Sequence, residues 1–182
     1  CLRSYPNLVE VRFNHDINLA AGDMFKQSTK LKTVVGMENA DPTIGHATFM
    51  GCVSLETVTL PTDIVKISKS MFWGCKNVTI TNLSECTQLT TIGQSAFQDT
   101  SYLVFTLPDT VTTIEKSAFQ SAFKEGSGGS FTINPTSQLT TIGASAFEDC
   151  RKMPKNVYIP STVTSIGEKA FYDCSGLTGI EI

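Results

Sequence analysis

The sequence predicts a repeat solenoid, a single domain over residues 1–182 that winds into about seven stacked coils with partial repeats at its ends. Three observations predict it. The stretch TTIGQSAFQD at 90–99 returns as TTIGASAFED at 140–149, with eight of ten letters shared. A phenylalanine recurs as Phe25, Phe49, Phe72, Phe97, Phe119, Phe147 and Phe171, at intervals of 24, 23, 25, 22, 28 and 24 residues. Other columns keep step with it, and self-similarity at such a period is the signature of a repeat array.

Five residues before the phenylalanine anchor stand Ile44, Ile67, Ile92, Ile114, Ile142 and Ile166, with Leu19 or Ala20 in the first repeat. Directly before it come Ala96, Ala118, Ala146 and Ala170, and Met24, Thr48 and Met71 as variants. Three after it come Cys52, Cys75, Cys150 and Cys174, replaced elsewhere by Ser28, Thr100 and Ala122. Six after it come Leu31, Leu55, Val78, Leu103, Met153 and Leu177.

Each part of the unit has its own period. The apolar spacing Ile92, Ala96, Phe97, Thr100 suits one or two helical turns. The following V-x-L stretch alternates with period two and is rich in Val, Ile and Thr, which reads as a short strand. Pro61, Pro108 and Pro160 end that strand because proline has no N–H to give a ladder. The next piece, VTTI or VTSI, is a second short extended segment. One or two short strands and a short helical turn per 22–25 residues, wound as a right-handed β-rich coil, is a leucine-rich-repeat cell. A single cell cannot bury its apolar side, so neighbours stack and the columns become ridges of core. The glycine-rich KEGSGGS at 124–130 reads as a surface loop inserted in one repeat, beside a second SAF at 121–123 that leaves the local frame ambiguous.

Composition excludes several functions. Fourteen basic residues against seventeen acidic ones give a net charge of −3, and the basic ones are scattered, so there is no nucleic-acid footprint. Apolar runs are too short for a membrane span. Cys1 opens the chain without a signal-like stretch, as after removal of a leader or trimming of a longer chain; repeat-like sequence from Leu2 onward speaks against lipidation of Cys1. The final GIEI stops mid-repeat, which fits a longer parent protein or a homo-oligomer that covers that end.

Candidate chemistry is sparse, and no catalytic residue, metal ligand set or cofactor is expected. Four of the six cysteines share one column where Ser, Thr or Ala also stand, which fits buried free thiols used as small core fillers. No C-x2-C or Cys/His pair suggests zinc. His15, next to Asp16, and His46 neighbour no nucleophile motif. GSGGS lacks the lysine and helix of a phosphate loop. Asp99, Asp149 and Asp173 share one column, but Gly51 and Gly74 fill it elsewhere, which disfavours a stacked-carboxylate ion site. Met50, Trp73 and Tyr172 follow the anchor and pack against neighbouring turns or form a scattered convex feature.

The stretches LTTIGQSAFQD, VTSIGEKAFYDC and VTLPTDIVKISKSMFWGC resemble the BspA-like, or treponemal-type, leucine-rich repeats, and the resemblance covers essentially the whole chain. It implies a secreted or surface-anchored, non-enzymatic protein of the adhesion or host-interaction kind. The implied partners are extracellular-matrix, plasma or other surface proteins, or glycans. The expected binding surface is the outward side of the strands: Glu10 and Arg12, then Thr59, Thr79, Thr106, Thr132, Tyr158 and Glu181. Threonine is also a plain strand former on a solvated face, so the stripe has a structural reading beside the binding one. The alternative function is a stalk or spacer that presents another domain.

Overall fold

The computed structural model describes residues 5–13, 17–101, 103–124 and 129–182. Cys1, Leu2, His15, Asp16 and residues 125–128 of the glycine-rich insertion lie outside them.

From Thr57 onward each full coil carries two extended segments, the first two coils carry one, and like segments stack in parallel. The first series contains β1 (Glu10–Arg12), β2 (Thr33–Val35), β3 (Thr57–Val58) and β5 (Thr79–Ile80) in one sheet. It continues as two separate pairs, β7 (Val104–Leu107) with β9 (Ser130–Ile133), and β11 (Asn156–Tyr158) with β13 (Gly179–Glu181). The second series is unbroken: β4 (Lys66–Ile67), β6 (Thr91–Ile92), β8 (Thr113–Ile114), β10 (Thr141–Ile142) and β12 (Ser165–Ile166). All pairs are parallel, as a coil that returns to the same edge once per turn requires.

Inside the coils the predicted columns form the core. Phe49, Phe72, Phe97, Phe119 and Phe147 are fully buried, as are Ile67, Ile92, Ile114 and Ile142. Leu19 rather than Ala20 fills the isoleucine slot of the first repeat, since Leu19 is buried and Ala20 exposed. The anchor rings stack from Phe25 to Phe171 with centroids 5.2–5.7 Å apart and near-parallel planes. That is the offset-stacked spacing aromatic rings favour. The ambiguous frame near 121–123 resolves in favour of Phe119, which stacks on Phe97 and Phe147, while Phe123 packs at an angle on Phe131.

The short helical turn around the anchor takes an unusual form. The residues two before and two after each anchor have left-handed φ: Asp23 and Gln27, Ala47 and Gly51, Ser70 and Gly74, Ser95 and Asp99, Ser117 and Ser121, Ser145 and Asp149, Lys169 and Asp173. Two handedness reversals in five residues forbid a continuous α-helix. Alternate N–H groups close i to i+3 turns, as Cys52 to Phe49, and the others reach the next coil. Thus the N–H groups of Ala47, Phe49 and Gly51 donate to the carbonyls of Lys69, Met71 and Trp73 at 2.7–3.0 Å. Rungs to the next coil thus take up main-chain donors that a helix or strand would otherwise satisfy. Among the described residues the helical elements are two single 3-10 turns, Met37–Asn39 and Leu83–Glu85, both after first-series strands.

Candidate functional site: the outward face of the first strand series

The first strand series sets where the predicted surface lies. In five of these strands one residue points inward: Val34, Val58, Phe105, Phe131 and Val157 are buried. Their neighbours point out, and parallel register aligns them. Thr106 pairs with Thr132, and Tyr158 with Glu181. Thr106, Thr132 and Glu181 are exposed, while Thr59 and Tyr158 are half-buried.

One expected member sits elsewhere. Thr79 is exposed, but it pairs with Thr57, not with Thr59. The residue beside Thr59 is Thr81, and the two hydroxyls lie 3.0 Å apart. Continuing that row upstream gives Val35 and Arg12, which occupy the same register position in β2 and β1. The row is therefore Arg12, Val35, Thr59, Thr81, then Thr106 with Thr132, then Tyr158 with Glu181. Glu10 heads the adjacent row, with Thr33, Thr57 and Thr79, and its carboxylate is ion-paired with Arg12.

The two breaks in the series divide this surface into three segments. At the first break a buried side chain takes over from the main chain. Asn82 accepts the Leu60 N–H at 2.9 Å and donates to the Leu60 carbonyl at 2.8 Å. The chain then enters the 3-10 turn Leu83–Glu85 instead of following the path taken after Pro61. On the far side, one rung joins the coils, Ser101 N–H to Lys76 carbonyl at 3.0 Å, and no hydrogen bond links β5 to β7 among the described residues. Between these strands opens a cleft of about 560 Å³. Ile80, Leu83, Val104 and Leu107 give it an apolar lining, Thr81 and Thr106 bring the outward row to its lip, and Asp109 adds a carboxylate. Asn134 donates to Asp109 at 3.0 Å, and Thr136 donates to its other oxygen. The Thr136 and Asn134 hydrogen bonds hold the Asp109 carboxyl below the usual carboxylate range. No ion pair engages Asp109 among the described residues.

The other candidates have structural partners. Cys52, Cys75, Cys86, Cys150 and Cys174 are buried free thiols. Four of them donate to the anchor carbonyl one coil earlier: Cys52 to Phe25, Cys75 to Phe49, Cys150 to Phe119 and Cys174 to Phe147, at 3.0–3.1 Å. This explains why the column prefers a small residue with a weak donor. Burial pushes the Cys52 thiol up to about 12 and raises Cys75 well above its ordinary value. Asp99 accepts the Trp73 indole N–H at 2.9 Å. Asp149 meets Lys124, Arg151 and Ser121, and Arg151 also reaches Asp173 at 2.8 Å. Within the aspartate column, Asp99 is thus held by a hydrogen bond from a neutral indole, and Asp149 and Asp173 by ion pairs. His46 is exposed, 3.9 Å from Asp23, on the turn ladder.

Parallel strands, a continuous phenylalanine stack and inter-coil turn rungs define a leucine-rich-repeat β-solenoid. The sequence matches the BspA type leucine rich repeat region, in six copies, over residues 1–124 and 120–182. The chain belongs to that family. Its fold is similar to the crystal structure of a leucine-rich repeat protein from Bacteroides ovatus, with TM-score 0.75 at 22% identity, covering 99% of this chain and 47% of that one. This chain therefore spans about half the length of that protein. A leucine rich cell surface protein from Faecalibacterium prausnitzii is more distant, with TM-score 0.41 at 19% identity over 96% of this chain and 79% of that one. Comparison with curated proteins gives no match. No helix among the described residues is long and apolar enough to cross a membrane.

Proposed function

We propose that this chain is a non-enzymatic protein-binding module, secreted or displayed at a cell surface, that acts in adhesion or host interaction. Family membership supports the class, since leucine-rich repeats bind proteins across extended surfaces. One observation carries the reading to a place: the outward row of Thr59, Thr81, Thr106, Thr132, Tyr158 and Glu181, exposed or half-exposed on the first strand series. Binding there is complementarity over many modest contacts, with Tyr158 as its aromatic anchor. The partner is an extracellular-matrix, plasma or other surface protein, or a glycan chain borne by one. Binding of the full chain to immobilised matrix and plasma proteins, with and without Thr132→Ala and Tyr158→Ala together, tests it. A saturable signal that falls in the double variant supports the reading, and equal binding of the two proteins contradicts it.

A spacer role is the second reading. The uninterrupted ring stack from Phe25 to Phe171 favours it, because evenly spaced coils make a stiff rod. Undiminished function after replacement of the repeats by an unrelated rigid solenoid of equal length would support this role over direct binding.

A further inference from the structure

The break between β5 and β7 differs in kind from the rest of the outward face. In parallel pairing, alternate residues direct both N–H and C=O to the same neighbour. Thr79 and Thr81 donate to Glu56 and Val58 of the preceding coil, at 2.9 and 3.0 Å. By that alternation, the N–H and C=O of Ile80 between them face the opposite way, toward β7. On β7, the pairing of Val104 with Ser130 and of Thr106 with Thr132 uses the main chain of Leu103, Phe105 and Leu107, as the Ser130 N–H to Leu103 carbonyl bond at 2.9 Å shows. The N–H and C=O of Val104 and Thr106 therefore face back toward β5. Two strand edges thus confront each other across a cleft, with no hydrogen bond between them among the described residues.

Open strand edges of this kind are templates for another extended chain. The lining fits one. Ile80 and Leu83 offer apolar contact, and Val104, at an outward position of β7, is 58% exposed. Asp109 adds a fixed negative charge, with no cation paired to it among the described residues. Among the described residues no aromatic ring lines the cleft, and its lining is aliphatic and hydroxyl-bearing, which suits a peptide side chain better than the stacked face of a sugar.

We infer that the cleft between β5 and β7 receives an extended polypeptide segment of a partner protein, added edge-on as a β-strand, with a lysine or arginine side chain directed to Asp109. The inference rests on the protein-binding reading and gives it a mode: main-chain hydrogen bonds to Ile80, Val104 and Thr106 supply affinity, while the apolar lining and Asp109 supply selectivity. The segment bridges the one gap in the sheet before β7, between the Ser101 N–H to Lys76 carbonyl bond on one side and the Thr110 hydroxyl to Leu89 carbonyl bond, 2.7 Å, on the other.

The test uses the full 182-residue chain and a phage-displayed random library of linear twelve-residue peptides. Selected peptides should carry β-branched residues in alternation with at least one basic residue. Their affinity should fall at least tenfold for Val104→Lys, a change at an exposed side chain that leaves the fold intact. Asp109→Asn should abolish their preference for lysine over norleucine. Amide exchange at Ile80, Val104 and Thr106 should slow on binding. Failure to select peptides, or selected peptides that bind the Val104→Lys protein unchanged, overturns the inference, as does a glycan array that binds with Val104 dependence where peptides do not. The two readings fail separately. Loss of matrix-protein binding in the Thr132→Ala, Tyr158→Ala double variant, together with peptides indifferent to Val104→Lys, removes the cleft and leaves the strand face standing. Peptides that need the cleft, beside a double variant that binds normally, do the reverse.

Discussion

Phe119 and Phe147 stack with their centroids 5.2 Å apart and their planes 1° from parallel, although 28 residues separate them in the chain. The longest interval in the array, with its glycine-rich insertion, leaves the ring stack undisturbed. The extra residues of this interval follow the anchor in sequence, and the anchor stack keeps its spacing across it.

Because each anchor contacts the one above and the one below, its loss leaves a cavity that the stack cannot close. Phe97→Ala should cost about 3–5 kcal/mol, the usual range for a buried aromatic in a close-packed core. Phe171→Ala, at a half-buried position in the last coil, should cost clearly less. Urea unfolding of both variants measures the difference, and a cost below about 1 kcal/mol at Phe97 would place the column outside the core.

The turn ladder predicts an effect that side-chain contacts do not. Gly74 has φ of 75°, yet a Cβ there would meet nothing nearer than Gly51 at 3.8 Å. Gly74→Val should still destabilise by roughly 1–2 kcal/mol, because the left-handed region is closed to a β-branched residue. Gly74→Asn should be close to neutral. Equal unfolding midpoints for the valine and asparagine proteins would contradict the left-handed ladder.

The cysteine column gives a chemical prediction. With burial raising Cys52 to about 12 and Cys75 well above its ordinary value, neither thiol should react with a disulfide reagent at pH 8 in the native protein. Both should react fully in denaturant. Cys52→Ser keeps a donor for the Phe25 carbonyl and should be tolerated better than Cys52→Val, which leaves that acceptor without it. Kinetics of thiol labelling on a Cys1→Ser background provide the check.

Acid should loosen the C-terminal coils through Asp149. The Lys124 hydrogen bond, with Ser121 and Arg151, holds this carboxyl below its ordinary value of 3.8. A carboxylate whose pKa is depressed by folding stabilises the fold above the unfolded value, and that contribution is lost as pH falls through the lower folded value. Unfolding midpoints should therefore drop below about pH 4. The Asp149→Asn protein should show a shallower drop, and identical pH profiles would remove Asp149 from the account.

The columns were legible in the sequence because every coil offers the anchor, the isoleucine and the leucine the same buried slot. The register of Thr79 was not. The letters NVTIT match TVTLP by type, which sets Thr79 beside Thr59, whereas hydrogen bonding sets Thr79 beside Thr57. The cause is Asn82, whose side chain forms the rung that a strand residue forms in the preceding coil. The left-handed residues were hidden for another reason. The spacing Ile92, Ala96, Phe97, Thr100 suits a helix and this turn ladder alike, and only the Ser, Asp and Gly flanking each anchor hint at positive φ. The cleft comes from a pairing that does not form, so no motif marks it.

As proposed, the outward row of the first strand series binds a partner protein. Its most direct test is the affinity of the full chain for matrix and plasma proteins, measured beside the Thr132→Ala, Tyr158→Ala double variant. Saturable binding to at least one of them is expected, with at least a tenfold loss in the variant, about 1.4 kcal/mol. Binding that survives both changes, and further changes at Thr59, Thr81 and Thr106, would contradict it.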